Sequence, residues 1–146
     1  MTIDVVLPIY NAFDDLVRCI DSVIHCTGPG YRLLLINDAS PDVRIAPLLT
    51  QIAEQHGHVR VLTNSRNLGF IGTVNRGFAE TNGDVVLLNS DTIVTRGWLR
   101  KMLECAASDE RIATITPFSN NAEICSYPQV CGNHPWPPDG DAESGP

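Results

Sequence analysis

Tyr31-Arg32-Leu33-Leu34-Leu35-Ile36-Asn37-Asp38 is the stretch on which the fold turns. From Tyr31 to Ile36 it is nearly continuously apolar. A strand with one wet face alternates apolar and polar residues, whereas an unbroken run is the pattern of a strand covered on both faces, as in a parallel sheet layered between helices. The run gives way to Asn37-Asp38-Ala39-Ser40-Pro41-Asp42, residue types that form turns and cap helices.

The neighbouring segments agree with this reading. Upstream, residues 3–7 form a short β-rich run that Pro8 is expected to end, and residues 14–25 place Leu16, Val17, Ile20, Val23 and Ile24 at helical spacing with acids in the first turn. Downstream, the patterns predict a helix over 43–56, with Pro47 tolerable in its early turns, and a strand over 59–62. A helix over 69–81, a strand over 85–88, a helix over 98–107 and a fifth strand over 112–115 follow. Strands alternating with helices imply an α/β fold: a mainly parallel, Rossmann-like sheet with helices on both faces and right-handed crossovers. Beyond Thr116 the period is lost. Residues 1–130 are expected to form the domain, and residues 131–146, rich in proline and acid, a flexible tail.

Composition narrows the function. The 146 residues suit one domain, and 43% hydrophobic residues can build a core. A formal net charge of -7, with Lys101 the only lysine, argues against nucleic acid as a partner. No run approaches the roughly 18 apolar residues of a membrane span, and the N-terminus lacks the pattern of a secretory leader, so a cytoplasmic location is expected, with membrane association through other parts or partners. The five cysteines include no Cys-x-x-Cys pair. Cys19, Cys26 and Cys105 sit in apolar helical patterns and read as buried thiols.

In an open parallel sheet, ligands bind beyond the carboxyl ends of the strands, near the switch in strand order. The segments to inspect are therefore Pro8-Ile9-Tyr10-Asn11, Asn37-Asp38-Ala39-Ser40 and Asn89-Ser90-Asp91-Thr92, and all three carry polar or acidic groups. The first strand-to-helix turn has no glycine, which disfavours a dinucleotide site, and Gly69, Gly72 and Gly77 precede no Lys-Ser/Thr, which excludes a Walker loop. A phosphate ligand would then be held through a metal. A hard cation such as Mg2+ or Mn2+ takes carboxylate oxygen and often uses only one or two protein ligands when it bridges to phosphate, which suits Asp91. The alternative for Asp91 is a turn-forming aspartate, and for Asp38 a local turn or helix cap.

At these residues the chain resembles the large inverting family 2 of glycosyltransferases. Val5-Val6-Leu7-Pro8-Ile9-Tyr10-Asn11 is similar to that family's first strand and turn, and Ile36-Asn37-Asp38-Ala39-Ser40 to its Asp-Asp-x-Ser motif. Asn67-Leu68-Gly69-Phe70 through Asn75-Arg76-Gly77 is similar to its Asn-x-Gly helix, and Gly83-Asp84 through Asn89-Ser90-Asp91 to the strand ending in Asp-x-Asp. The resemblance implies the nucleotide-sugar-binding half of a GT-A fold. Asp38 would contact the nucleobase, with Pro8, Tyr10 and Asn11 lining the same pocket. Arg66 and Asn75 would face the donor, Asp84 would contact the nucleotide or brace the loop, and Asn89 and Ser90 would contact the donor beside the metal ligand Asp91. The partners implied are a nucleoside-diphosphate sugar and an acceptor glycan or lipid-linked glycan.

Two departures follow from the same comparison. Asn89 replaces the first acid of Asp-x-Asp, leaving Asp91 as the charged ligand; this variant resembles enzymes of bacterial cell-surface polysaccharide assembly, rhamnosyltransferases among them. An inverting transfer also needs a carboxylate base near the acceptor hydroxyl. Of the acids after Asp91 only Glu123 falls in a pocket-like context, and Asn120 and Asn121 are either sugar contacts or ordinary loop residues. The catalytic base is thus unassigned and the acceptor half is expected to lie outside the chain. The rival reading is a non-catalytic nucleotide-sugar-binding or interaction module of a larger protein. A sugar nucleotidyltransferase would want a glycine-rich basic loop after the first strand, and a receiver-type domain a phosphoacceptor aspartate after the third; neither is present.

Overall fold

The computed structural model describes residues 2–120 and 125–126. They fall into two compact units, one ending at Leu99 and the other beginning at Arg100. The expected domain boundary at 130/131 lies outside the described residues.

The first unit runs β1 (Ile3–Ile9), α1 (Phe13–Cys26), β2 (Tyr31–Asn37), α2 (Ile45–Gln55), β3 (Val59–Thr63), α3 (Gly69–Ala79) and β4 (Val85–Leu87), and the chain then enters α4 (Trp98–Ala107). The four strands form one sheet in the order β3-β2-β1-β4. Every pairing is parallel, with Val5 opposite Leu33 and Val86 and with Leu35 opposite Val61.

The sheet divides its side chains between two cores. Ile3, Val5, Leu7 and Ile9 of β1, with Leu33 and Leu35 of β2, meet Leu16, Cys19, Ile20 and Val23 of α1 and Ile45, Leu49 and Ile52 of α2. Val6, Leu34 and Ile36 point the other way, toward α3. The apolar run from Leu33 to Ile36 is buried along its whole length because both faces are covered. Each fully buried Leu or Ile is worth about 1.5–3 kcal/mol relative to exposure. Two successive crossovers place α1 and α2 on one face. The third must carry the chain from β3 across β2 and β1 to β4, and α3 takes the opposite face. The strand order reverses between β1 and β4, which opens a crevice at the carboxyl ends there.

α3 lies close to the sheet because of Gly77. A Cβ on this residue would sit 2.5 Å from Cγ1 of Val6 and 2.9 Å from Cδ1 of Ile36. The glycine of the Asn75-Arg76-Gly77 motif is thus a packing requirement.

Two expected elements differ from what is observed. β1 is not ended by Pro8; it continues to Ile9, and Pro8 pairs in register with Ile36. Alternate residues of a strand direct their backbone groups to opposite neighbours. The Val6 carbonyl accepts from Leu88 on the β4 side, so the missing N–H of Pro8 would also face β4, whose paired residues stop opposite Val6. Proline is tolerated where no ladder bond is due. The fifth strand expected over 112–115 does not form. Ile112 and Ile115 are only half-buried, and β-branched composition makes a strand only where a neighbouring strand and a buried face are supplied. In the second unit, Ser119 bridges to Ser126 and its N–H donates to the Cys125 carbonyl at 2.8 Å. Cys105, expected in a core, is exposed, whereas Cys19 is fully buried. Among the described residues no helix is long and apolar enough to cross a membrane.

Candidate functional site

A cleft of about 500 Å³ lies at the carboxyl edge of the sheet in the first unit. The end of β1 and its turn supply Pro8, Ile9, Tyr10 and Ala12, and the first turn of α1 supplies Asp15. β2 supplies Asp38 from its C-terminal end, and the segment that opens α3 supplies Asn67, Gly69, Phe70 and Thr73. Beyond β4 come Asn89, Ser90 and Asp91. Of the expected donor contacts, Pro8, Tyr10, Asp38, Asn89, Ser90 and Asp91 therefore meet in one cleft. Asn11, Arg66, Asn75 and Asp84 are not among its lining residues. Asn11 instead braces the loops: its N–H donates to Ser40 Oγ at 3.1 Å and its Oδ1 accepts from the Asp42 N–H at 3.4 Å.

Asp38 is 3% exposed and holds together elements far apart in sequence. Its Oδ1 accepts from the Leu68 N–H at 2.7 Å and from Asn64 Nδ2 at 2.7 Å. Asn64 Nδ2 also donates to Thr73 Oγ1 at 2.9 Å, and Arg76 donates to Asn64 Oδ1 and, at 2.9 Å, to the Thr63 carbonyl. Burial, the largest influence on Asp38, works to raise its pKa; hydrogen bonds from Leu68, Asn64, Thr73 and Gly69 together outweigh it and hold the carboxyl below its ordinary value of 3.8. The local tasks of its own loop fall to neighbours. Asn37 Oδ1 accepts from the Ser40 N–H at 2.9 Å, and Asp42 Oδ1 accepts from the Arg44 N–H at 3.0 Å just before α2. Asp38 is therefore not the local cap that its turn sequence permits; it fastens the start of α3 to β2.

Asp91 is the opposite kind of acid. It is exposed and lines the cleft, and among the described residues its carboxylate has no hydrogen-bond or ion-pair partner. The backbone that presents it is fixed from below. Cys19 Sγ donates to the Asn89 carbonyl at 3.4 Å, the Thr92 N–H donates to the same carbonyl at 3.1 Å, and the Val94 N–H donates to Ser22 Oγ at 3.0 Å. Burial, with a smaller contribution from the nearby Asp91 charge, pushes the Cys19 thiol up to about 12 against the opposing Thr92 backbone hydrogen bond. The thiol is thus a neutral donor supporting the loop.

The β1–α1 turn is strained. Asn11 and Ala12 are both left-handed, at φ 57° and 53°, and Ala39 in the β2–α2 turn has φ 53°. Such conformations cost a non-glycine residue about 1–2 kcal/mol, and they occur where the two turns border the cleft.

Asn64, Thr73 and Asp15 went unmarked in the sequence. Asn64 follows β3, whose end Thr63-Asn64-Ser65 offers no acid, and Thr73 has the spacing of a core helix position. No residue type at these positions signals a site; the tie to Asp38 is a tertiary fact.

A metal would find hard oxygen donors here, the Asp91 carboxylate and the Asn89 side-chain amide. No group of three or more His, Cys, Asp or Glu side chains among the described residues is arranged to hold one. The donor set fits a cation that shares its coordination sphere with a phosphate ligand and waters.

Comparison with known proteins bears on the same unit. The sequence profile of the family described as Glycosyl transferase family 2 matches residues 4–136. The undecaprenyl-phosphate 4-deoxy-4-formamido-L-arabinose transferase of Klebsiella pneumoniae is 36% identical over 89 residues, 58% of this chain and 27% of that protein. The mannosyltransferase PcManGT from Pyrobaculum calidifontis, solved with GDP-Man and Mn2+, superposes with a TM-score of 0.66 at 19% identity, over 73% of this chain and 32% of that one. S. aureus TarS 1-349 with UDP-GlcNAc gives a TM-score of 0.63 at 19% identity, over 75% of this chain and 32% of that one. The fold is the GT-A arrangement. The chain spans about a third of the length of the curated relatives it matches.

Proposed function

The chain belongs to glycosyl transferase family 2, and from that premise we propose that the cleft binds a nucleoside-diphosphate sugar together with Mg2+ or Mn2+, as the donor site of a glycosyltransferase. One observation carries the reading. Among the described residues the cleft is lined by three carboxylates, Asp15, Asp38 and Asp91, and by no lysine or arginine. A diphosphate entering it needs a counter-charge that its walls do not supply, and Asp91 is the unpaired, exposed acid placed to hold one. The N-terminal ends of α1 and α3, at Ala12 and at Gly69, border the same space and favour anions.

In this reading Asp91 and Asn89 hold the cation against the diphosphate, and the cation when bound stabilises the leaving nucleoside diphosphate as a Lewis acid. The nucleoside lies toward Asp38. Adjacent strands are about 4.8 Å apart, so the ends of β2 and β4, separated by β1, stand roughly 10 Å apart, a span that a nucleoside and its diphosphate can bridge. Pro8 and Tyr10 border the middle of that path. Asn11 acts by bracing the turn, and Arg66, Asn75 and Asp84, outside the cleft lining, take part only with a rearrangement on binding.

The complete enzyme would pass the sugar to a hydroxyl of a glycan or lipid-linked glycan with inversion, in the cytoplasm and in the service of cell-surface polysaccharide assembly. The name of the Klebsiella relative pairs a sugar with undecaprenyl phosphate, a lipid carrier whose reacting group is a phosphate oxygen, and so supports a lipid-borne acceptor but not the glycan hydroxyl. Glu123 and Asn121 lie outside the described residues, and Asn120 adjoins the Ser119–Ser126 bridge of the second unit.

The test is calorimetric titration with uridine, guanosine and thymidine diphosphates, with and without Mn2+. At least one should bind in the metal's presence; if none does, the reading fails. Asp91→Ala should abolish the metal-dependent part of the affinity while the circular dichroism spectrum is unchanged. Retention of full metal dependence in that variant would remove Asp91 from the site.

A further inference from the structure

We propose that Arg76 and Asn64 form a positioning relay that fixes the Asp38 carboxylate, and through it the nucleoside end of the cleft, although neither residue lines the cleft. The nucleotide readout rests on the function proposed above; the relay itself does not.

Asn64 is 3% exposed, so its amide groups need protein partners. A guanidinium only donates and a carboxylate only accepts. Arg76 bonds one end of the Asn64 amide and Asp38 the other, so the amide has one permitted orientation: Oδ1 toward Arg76 and Nδ2 toward Asp38. The second Nδ2 proton is spent on Thr73 Oγ1 at 2.9 Å. Thr73 is fully buried, and its hydroxyl helps to hold the Asp38 carboxyl below its ordinary value. Arg76 is held in turn by the Thr63 carbonyl at 2.9 Å. The chain of contacts runs from α3 through the end of β3 to the end of β2, with each group's role dictated by the one before it. Remove the guanidinium and a buried amide oxygen loses its partner. Asn64 is then free to rotate, and Asp38 loses a donor whose direction it depended on.

The relay also separates the parts of the motif between Asn67 and Gly77: Asn67, Gly69, Phe70 and Thr73 line the cleft, whereas Asn75 stays out of it and Arg76 acts from behind. Gly77 brings α3 against Val6 and Ile36, which sets Arg76 at the height of the β3 end. The helix carries the positioning groups, and β2 carries the group they position.

Arg76→Met removes the donors and keeps most of the side chain; Arg76→Lys keeps a charged donor but not the planar guanidinium whose one Nη1 serves both Asn64 and Thr63. The first measurement is the 13C titration of the Asp38 side-chain carboxyl in the unliganded protein, with Asp15 and Asp91, which share the cleft, unaltered. Arg76→Met should raise the midpoint by about half to one pH unit, and Arg76→Lys by less. An unchanged midpoint in a folded Arg76→Met protein overturns the relay. The second measurement compares Mn2+-dependent affinity for the nucleoside diphosphates with that for inorganic pyrophosphate. Arg76→Met should weaken the nucleotide roughly tenfold, about the worth of one displaced hydrogen bond to a charged group, and leave pyrophosphate unaffected. Equal losses for both ligands would make the residue merely structural and overturn the proposal. If Arg76→Met does not fold, Arg76→Lys decides by the same two measurements. A shifted midpoint in a protein that binds no nucleotide even as wild type would uphold the relay and defeat the functional reading instead.

Discussion

Gly77→Ala sets two effects of opposite sign against each other, and the structure says which wins. Inside a helix alanine is favoured over glycine by up to about 0.8–1.0 kcal/mol, and Gly77, in the last turn of α3, is still helical, so from local propensity alone the substitution should stabilise. The new methyl, however, would stand 2.5 Å from Val6 Cγ1 and 2.9 Å from Ile36 Cδ1. Both contacts belong to fully buried β-branched residues in the central strands β1 and β2. Such side chains have little rotamer freedom, so relief requires α3 to lift by roughly 1 Å, to ordinary van der Waals separation. Overpacking of this kind costs about 1–3 kcal/mol. Because the obstacle is two stiff side chains on a sheet paired on both sides, the upper half of that range applies, and the net change is a loss of about 1–2 kcal/mol. For a chain of 146 residues that lowers Tm by roughly 3–7 °C. Thermal unfolding followed by circular dichroism, with urea denaturation for the free energy, measures it. A Tm equal to or above wild type would show that α3 does not press on the sheet, and the assignment of Gly77 as a packing glycine would be wrong. The lift should also reach Thr73 and Asn64, so nucleotide affinity should fall with stability.

Three further outcomes are expected. Asp38 has a lowered pKa, so its charged form contributes stability that is fully present above 3.8 and is lost as pH falls through the lower folded value; Asp38→Asn should cost about 1–3 kcal/mol at pH 7, as two charge-assisted bonds become neutral ones, and should remove that acid limb from urea titrations between pH 2 and pH 6. Iodoacetamide at pH 8 should label exposed Cys105 in the folded protein and reach Cys19, whose thiol burial pushes up to about 12, only on unfolding; peptide mass mapping distinguishes the two, and early labelling of Cys19 would contradict its burial. Ala12→Gly relieves a left-handed alanine at φ 53° and should raise stability by about 0.5–1 kcal/mol, net of the extra freedom of the unfolded chain; a loss in chemical denaturation would mean that the turn is not strained.

The strand and helix pattern was legible because burial on two faces writes itself into composition. Residues 33–36 have no polar member, and only a doubly covered strand accepts that. The misjudged elements were those whose fate depends on a partner. Pro8 looks like a stop, yet it lies where β4 has already ended, so the ladder asks nothing of its missing N–H. The isoleucines at 112 and 115 look like a strand, yet composition cannot supply the neighbour that a strand needs.

At the site the same distinction separates the two acids. Asp91 was legible as a position, an exposed carboxylate just beyond a strand end; that it holds a metal belongs to the proposed function. Asp38 was legible as a position but ambiguous in function, since Asp-Ala-Ser-Pro-Asp is equally good turn material. The ambiguity is resolved by Leu68 and Asn64, 30 and 26 residues away, and by Asn37 and Asp42, which carry out the local capping and leave Asp38 free. A carboxylate so fully engaged by its own protein cannot reorganise to meet a ligand at low cost. It must offer whatever lone-pair direction its partners leave it, which makes Arg76, two bonds removed from the cleft, the place to look for control of what the cleft accepts.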